Sequence, residues 1–174
     1  MGTICWGKTN KIVKYFPDQD KYWNEEITTS LGYLYGLVLD VGAGNRTPHA
    51  WDITLDNKNI EAHIKANGDK IPFQNNYFDC VYAGHALEHF EDILGTLKEW
   101  IRVVKVFGHI VIICPDCRFT PPLGRIACDP QHRHDLTFDY LNEICQLLDN
   151  VRVINKNTIA LQNWSFQVVL QKIK

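Results

Sequence analysis

Two carboxylates beside a two-glycine turn, together with three histidines, are the residues of this 174-residue chain whose types and spacing could do chemistry. Asp40 lies in the apolar run Gly36 to Val41, and Gly42-Ala43-Gly44 follows directly. Glycines at a strand end let the chain turn sharply and let a ligand approach the main chain. A dinucleotide fingerprint needs a third small residue where Thr47 stands, and a helix start for the pyrophosphate. Pro48 follows instead, and only seven residues separate Gly44 from Asp52, too few for a full helix and a strand. A ligand with adenosine but no phosphate suits the turn better. Asp40 would attract a cationic ammonium or sulfonium, and Asp52, closing a second short strand, could accept both ribose hydroxyls. His132, His134 and His85 are the candidate catalytic bases, since imidazole titrates near neutral pH. Asp116 is a weaker fourth.

Two patterns invite a metal reading. His85-Ala86-Leu87-Glu88-His89 spells H-x-x-E-H, a zinc-peptidase pattern in inverted order that requires both histidines on one face of a long helix. Here His85 is expected in the loop before a helix that Glu88 and His89 open, where an acid is favoured by the helix dipole without any metal. Cys114, Cys117, Cys128 and His132 could instead close a structural zinc site, although Cys114 ends a core strand. No metal is assigned, and a zinc-stabilised interaction domain stays open as an alternative.

These residues need a frame that brings them together. Gly36 to Val41, His49 to Ile53, Phe78 to Ala83 and His109 to Cys114 read as strands. Phe90, Ile93, Leu94, Leu97, Ile101 and Val104 recur at helical spacing, and Gly108 is expected to stop that helix. Leu141, Ile144, Cys145 and Leu148 mark a second helix with Thr137 as its cap. Val151 to Asn155 and Phe166 to Ile173 close the chain as a strand pair, the latter half-exposed. Residues 1–35 read as a short helical or irregular lead-in, a candidate lid, and residues 36–174 as one domain. The pattern predicts an α/β fold: a single doubly wound, mostly parallel sheet with a C-terminal antiparallel pair and a reduced first crossover helix. Ligands bind at the carboxyl ends of such strands.

Composition excludes several classes. A net charge of -2 gives no electrostatic footprint for nucleic acid or an anionic membrane. No apolar run approaches the roughly 20 residues that span a bilayer. The first residues lack a signal-peptide pattern, so the six cysteines are expected reduced and the chain cytoplasmic.

VLDVGAGN, then GDKIPFQNNYFDCVYAGHALEHFED, then LKEWIRVVKVFGHIVIICPD stand in an order and at gaps that resemble the class I S-adenosylmethionine-dependent methyltransferases, closest to the small type 11 branch. DPQHRHDLTFDYL is similar to an Asp-Pro-x-His-x-His stretch in methyltransferases linked to surface-sugar and polysaccharide pathways. The likeness covers about residues 36–148. It implies S-adenosylmethionine as cofactor, with Asp40, Gly42, Ala43 and Gly44 at the methionine turn and Asp52 at the ribose. It places Asp69 at the adenine amine, Lys70 and Ile71 beside the ring, and Gly84 and His85 near the sulfonium. Asp116, Arg118, Arg125 and Arg133, on the loop after the fifth strand of that fold, are the candidate substrate-binding residues. The expected partner is a small-molecule, sugar-like acceptor. A homodimer is compatible with the chain, and a non-catalytic cofactor-binding module acting with a partner is the runner-up. The chain departs from the pattern at Arg46, where a third glycine is usual, and at Val106-Phe107-Gly108-His109, where Lys-Pro-Gly-Gly is usual.

Overall fold

The computed structural model describes residues 2–6, 11–15, 21–44, 53–125, 128–155 and 159–174. A central six-stranded sheet is built from β3 (Val38–Val41), β4 (Ile53–Leu55), β5 (Phe78–Gly84), β6 (Val104–Pro115), β7 (Val151–Val153) and β8 (Ser165–Lys172). Their spatial order is β4-β3-β5-β6-β8-β7. The first four run parallel, while β8 is antiparallel to both β6 and β7. The α/β sheet with its antiparallel C-terminal pair is therefore as expected.

Side chains alternate across the sheet and define two cores. Leu39, Val41, Val81, Ala83, Ile110 and Ile112 face α2 (Ile93–Val103) and α3 (Phe138–Cys145). Val38, Tyr82, Val111, Ile113 and Val169 face the opposite way, onto Ile27 and Leu31 at the end of α1 (Lys21–Ser30). Fully buried groups such as Trp100, Phe78 and Phe166 each contribute about 1.5–3 kcal/mol by leaving water. With both faces covered, β8 is buried along nearly its whole length. The half-exposed strand expected there is corrected, because α1 supplies a second layer that the sequence pattern did not reveal. The lead-in also contains an antiparallel pair, β1 (Gly2–Trp6) with β2 (Lys11–Tyr15).

Further corrections concern boundaries. Leu87–His89 is a separate 3₁₀ turn, and α2 starts only at Ile93, where the Asp92 side chain accepts from the Gly95 amide. The helix then passes into β6 at Val104 without a glycine stop. Gly108 lies inside β6, where a Cβ would come 2.6 Å from the Asp79 carbonyl oxygen, so its absent side chain lets β5 and β6 close up. Thr137 caps α3 as expected, accepting from the Tyr140 amide. The second parallel strand begins at Ile53, whereas the expected span 49–53 falls mostly outside the described residues. So does the reduced first crossover helix.

Candidate functional site

Strand order reverses between β3 and β5: the chain steps from β3 outward to β4, then returns to β5 on the other side. In open α/β sheets the crevice at the carboxyl ends of the strands flanking such a reversal is where ligands bind. Three segments converge there. Gly42 takes φ +73°, and a Cβ at Gly42 would stand 2.7 Å from Ala86 Cβ, so the turn after β3 rests directly on the segment after β5. Its amide donates to the Leu55 carbonyl at 2.8 Å, tying it to the end of β4. A Cβ at Gly68 would meet Val41 at 2.5 Å, which brings the Asp69 loop against the end of β3.

That loop is held from α2. Trp100 Nε1 donates to the Gly68 carbonyl (2.8 Å), the Ile71 amide donates to Glu99, and Arg102 donates to the Ile71 and Phe73 carbonyls. The hydrogen bond from Arg102 holds the Glu99 carboxyl below its usual range. Asp69 and Lys70 are exposed and Ile71 is buried, giving an apolar floor beside a solvent-facing acid. Asp40 is only 4% exposed, and Ala43 is buried between two partly exposed glycines. These residues therefore share one end of the sheet.

Asp52 lies outside the described residues. The acid that follows the carboxyl end of β4 is Asp56, which the sequence reading missed. Its Oδ2 accepts from the Gly44 amide at 2.8 Å, and its Oδ1 accepts from the amides of Lys58 and Asn59. A signal was present: Ile53-Thr54-Leu55 ends in Asp56-Asn57-Lys58-Asn59, a turn-rich cluster that marks a strand end.

His85 follows Gly84 at φ 53°, a left-handed backbone that a bulky side chain seldom adopts. Its Nε2 lies 3.0 Å from both carboxylate oxygens of Glu26, which is 2% exposed on α1 and also accepts from Ser165 on β8. Glu26 was not singled out from the sequence. His132 is brought towards the same place, its Nε2 3.9 Å from Glu88 Oε1, while the Arg133 amide donates to the Glu88 carbonyl at 2.8 Å. His134 is placed differently. Its Nε2 contacts the carbonyls of Phe90 (2.9 Å) and Glu91 (3.2 Å), which engages that nitrogen as a donor.

Among the candidate substrate residues, Asp116 is 3% exposed and chelated by Arg118 through Nε and a terminal nitrogen (2.9 and 2.6 Å). Burial pushes the Asp116 carboxyl up, but these hydrogen bonds outweigh it and hold the group below its usual range. The Arg118 charge is thus already matched, whereas Arg125 and Arg133 are exposed. Cys114 is fully buried on β6, and burial first, then Glu88, pushes its thiol well up. Among the described residues, Cys114, Cys117, Cys128 and His132 do not come within ligand distance of one common point. A cavity of about 350 Å³ opens at the other end of the sheet, against Asn76, Arg102 and Lys172, away from the strand-reversal crevice.

Known proteins resemble this chain in sequence and in fold. The family model described as "Methyltransferase domain" covers residues 50–112. A SAM-dependent methyltransferase from Aquifex aeolicus superposes with a TM-score of 0.62 at 19% identity, over 92% of this chain and 100% of that one. The fold is that of the class I methyltransferases. A second protein with the methyltransferase fold, the 1,6-didemethyltoxoflavin-N1-methyltransferase of Burkholderia thailandensis with bound S-adenosylhomocysteine, aligns with a TM-score of 0.66 at 13% identity, over 90% and 80% of the two chains. In sequence, the demethylmenaquinone methyltransferase of Mycobacterium sp. (strain KMS) is 26% identical over 124 residues, 62% of this chain and 52% of that protein. The chain thus spans about half the length of the curated relatives it matches. Among the described residues, no helix is long and apolar enough to cross a membrane.

Proposed function

We propose that this chain is an S-adenosylmethionine-dependent methyltransferase acting on a small-molecule acceptor. The observation that carries the reading is the Gly42 turn resting on Ala86 at the strand reversal, which gathers Asp40, Gly44, Asp56 and His85 at one crevice. The residues present fit an adenosyl sulfonium. The missing Gly42 side chain lets the turn after β3 close on Ala86, the partly exposed backbone of that turn suits a ligand with no phosphate, and Asp40 offers a carboxylate at a strand end. The methionine part would lie against Asp40, Gly42, Ala43 and Gly44. The ribose would meet Asp56, with Asp52 the acid named from the sequence. The adenine would meet Asp69, Lys70 and Ile71, and Gly84 and His85 would lie nearest the sulfonium. When bound, the cofactor supplies an electrophilic methyl group.

The chain's own part is placement. Holding an acceptor in attack geometry is worth up to about 7–11 kcal/mol. For a hydroxyl acceptor, His132 or His85 would take the proton, a contribution of about 10²–10⁴-fold. His134, engaged with the Phe90 and Glu91 carbonyls, would position the loop instead. Arg125 and Arg133 are the arginines left to meet an anionic acceptor. A sugar-like acceptor is the finer reading, supported by the Asp-Pro-x-His-x-His stretch; two of the proteins named above are a demethylmenaquinone methyltransferase and a 1,6-didemethyltoxoflavin-N1-methyltransferase. A non-catalytic cofactor-binding module acting with a partner is the second reading.

Calorimetric titration with S-adenosylhomocysteine, followed by transfer of labelled methyl to a panel of quinone, nitrogen-heterocycle and saccharide acceptors, tests both. Binding without transfer to any acceptor leaves the module. Absence of binding rejects both readings.

A further inference from the structure

Glu88 stands out among the described residues as a carboxylate buried with both oxygens unpaired by N–H or O–H donors. It is 0% exposed, and among the described residues no N–H or O–H group donates a hydrogen bond to either carboxylate oxygen. A carboxylate in that position is strongly disfavoured unless a positive charge compensates it. The Cys114 thiol beside it is a weak donor kept protonated by its own burial and by Glu88. What surrounds Glu88 Oε1 is a shell of imidazole nitrogens held too far for hydrogen bonds: His85 Nδ1 at 3.8 Å, His89 Nε2 at 3.9 Å and His132 Nε2 at 3.9 Å. One ligand atom from each of Glu88, His89 and His132 falls within 4.8 Å of the other two. Metal–ligand bonds of about 2.0–2.2 Å put the donor atoms of one tetrahedral shell roughly 3.3–3.6 Å apart, so the three side chains would draw in around an ion by small rotamer adjustments.

We propose that Glu88, His89 and His132 bind a single divalent transition-metal ion of the zinc class. Two imidazoles and a carboxylate are a donor set that such ions accept, and an ion there would neutralise the buried charge. The set differs from the peptidase pattern that H-x-x-E-H suggested, because its second histidine comes from the loop 117–136 and not from a long helix. Several features prepare it. The 3₁₀ turn presents Glu88 and His89 side by side, the Arg133 amide pins the loop to the Glu88 carbonyl, and the His89 and His132 rings stand edge to face at 4.9 Å. His85, held from behind by Glu26, closes the remaining side. The ion would fasten the loop to the end of β5. Three protein ligands also leave a coordination position that an acceptor hydroxyl could take, with His85 and not the ligating His132 as its base; this last point rests on the methyltransferase reading, whereas the metal site does not.

The test uses the full chain, stripped with chelator and titrated with cobalt(II) by visible absorption and with zinc by calorimetry. One equivalent is expected, with a zinc-induced rise in melting temperature. Glu88→Gln and His132→Gln should each weaken binding by at least about tenfold, while His109→Asn, packed between Tyr33 and Tyr35 away from the cluster, should leave it unchanged. Glu88→Gln removes a buried charge, so its apoprotein should fold, and melting of the metal-free variants confirms this. If either variant does not fold, His89→Gln with the same readout decides. Substoichiometric binding by the wild type, or unchanged affinity in folded Glu88→Gln and His132→Gln, overturns the site. A protonated His89–Glu88–His132 cluster would show itself as melting that falls above the histidine range with no metal bound, and it would overturn the site too. S-adenosylhomocysteine binding is measured in parallel: metal binding without it preserves the site and rejects the methyltransferase reading, and the reverse result does the opposite.

Discussion

Glu26 and His85 stand 59 positions apart in the chain, yet the His85 Nε2 lies 3.0 Å from each oxygen of the Glu26 carboxylate. The contact joins the first long helix to the turn after β5, across the sheet end where the crevice opens. Glu26 accepts from Ser165 as well, so one buried carboxylate orients groups from two other elements.

Glu26→Ala should therefore leave His85 and Ser165 without their acceptor. The expected loss is about 1–3 kcal/mol of stability, read from the urea midpoint, with Glu26→Gln milder because the amide oxygen still accepts. An unchanged midpoint in Glu26→Ala would show that the contact contributes nothing.

Asp56 and Asp52 offer a direct comparison. Asp56→Asn places an amide where three backbone N–H groups now donate, so it should weaken S-adenosylhomocysteine by about 1.5–3 kcal/mol, roughly 10- to 150-fold in Kd. Asp52→Asn, ahead of the strand, should change Kd little. Calorimetry on the two variants decides, and the opposite ranking returns the ribose to Asp52.

Gly42→Ala meets two obstacles at once: a positive φ and a neighbour 2.7 Å from the new Cβ. The strain should cost about 1–3 kcal/mol and push the turn away from Ala86. A lower melting temperature and weaker S-adenosylhomocysteine binding are expected together. Wild-type values for both would mean that the crevice is not built on this contact.

His109 gives a dependence on acidity. It lies half-buried between Tyr33 and Tyr35, with ring centroids 5.8 and 5.2 Å away, and burial lowers its pKa. The unfolded chain binds the proton more readily than the native one. The contribution to stability is thus complete above the unfolded value of about 6.5 and is lost as pH falls through the lowered native value. Chemical denaturation between pH 7.5 and 5 should show that decline, flattened in His109→Asn. Parallel curves for both proteins would remove His109 as its source.

Much of the frame was legible in the sequence because it rests on local pattern. Gly36 to Val41 followed by glycines could hardly be anything but a buried strand and its turn, and the stripe from Ile93 to Ile101 repeats at helical spacing. Other parts depend on distant packing. β4 has only three residues, so its end, and with it Asp56, could not be fixed from hydrophobic pattern alone. Glu88 looked like an acid opening a helix; the distant contacts of His132 and Arg133 with it had no local signature. α1 hid its apolar face among charges, and neither its coverage of β8 nor the reach of Glu26 had a local signature. Gly108 followed a helix and read as its stop, whereas the close approach of Asp79 across the sheet is what requires a glycine there.

Glu26 and Ser165 lie 139 positions apart. Residues so remote must wait for a large loop to close before they touch, and the entropy of that closure is offset only once the intervening strands are in place. During synthesis, the glycine turn and the imidazoles emerge long before the last strand that steadies Glu26. The crevice therefore reaches its final shape at the end of folding, and an incomplete chain offers ligands an unfinished cleft.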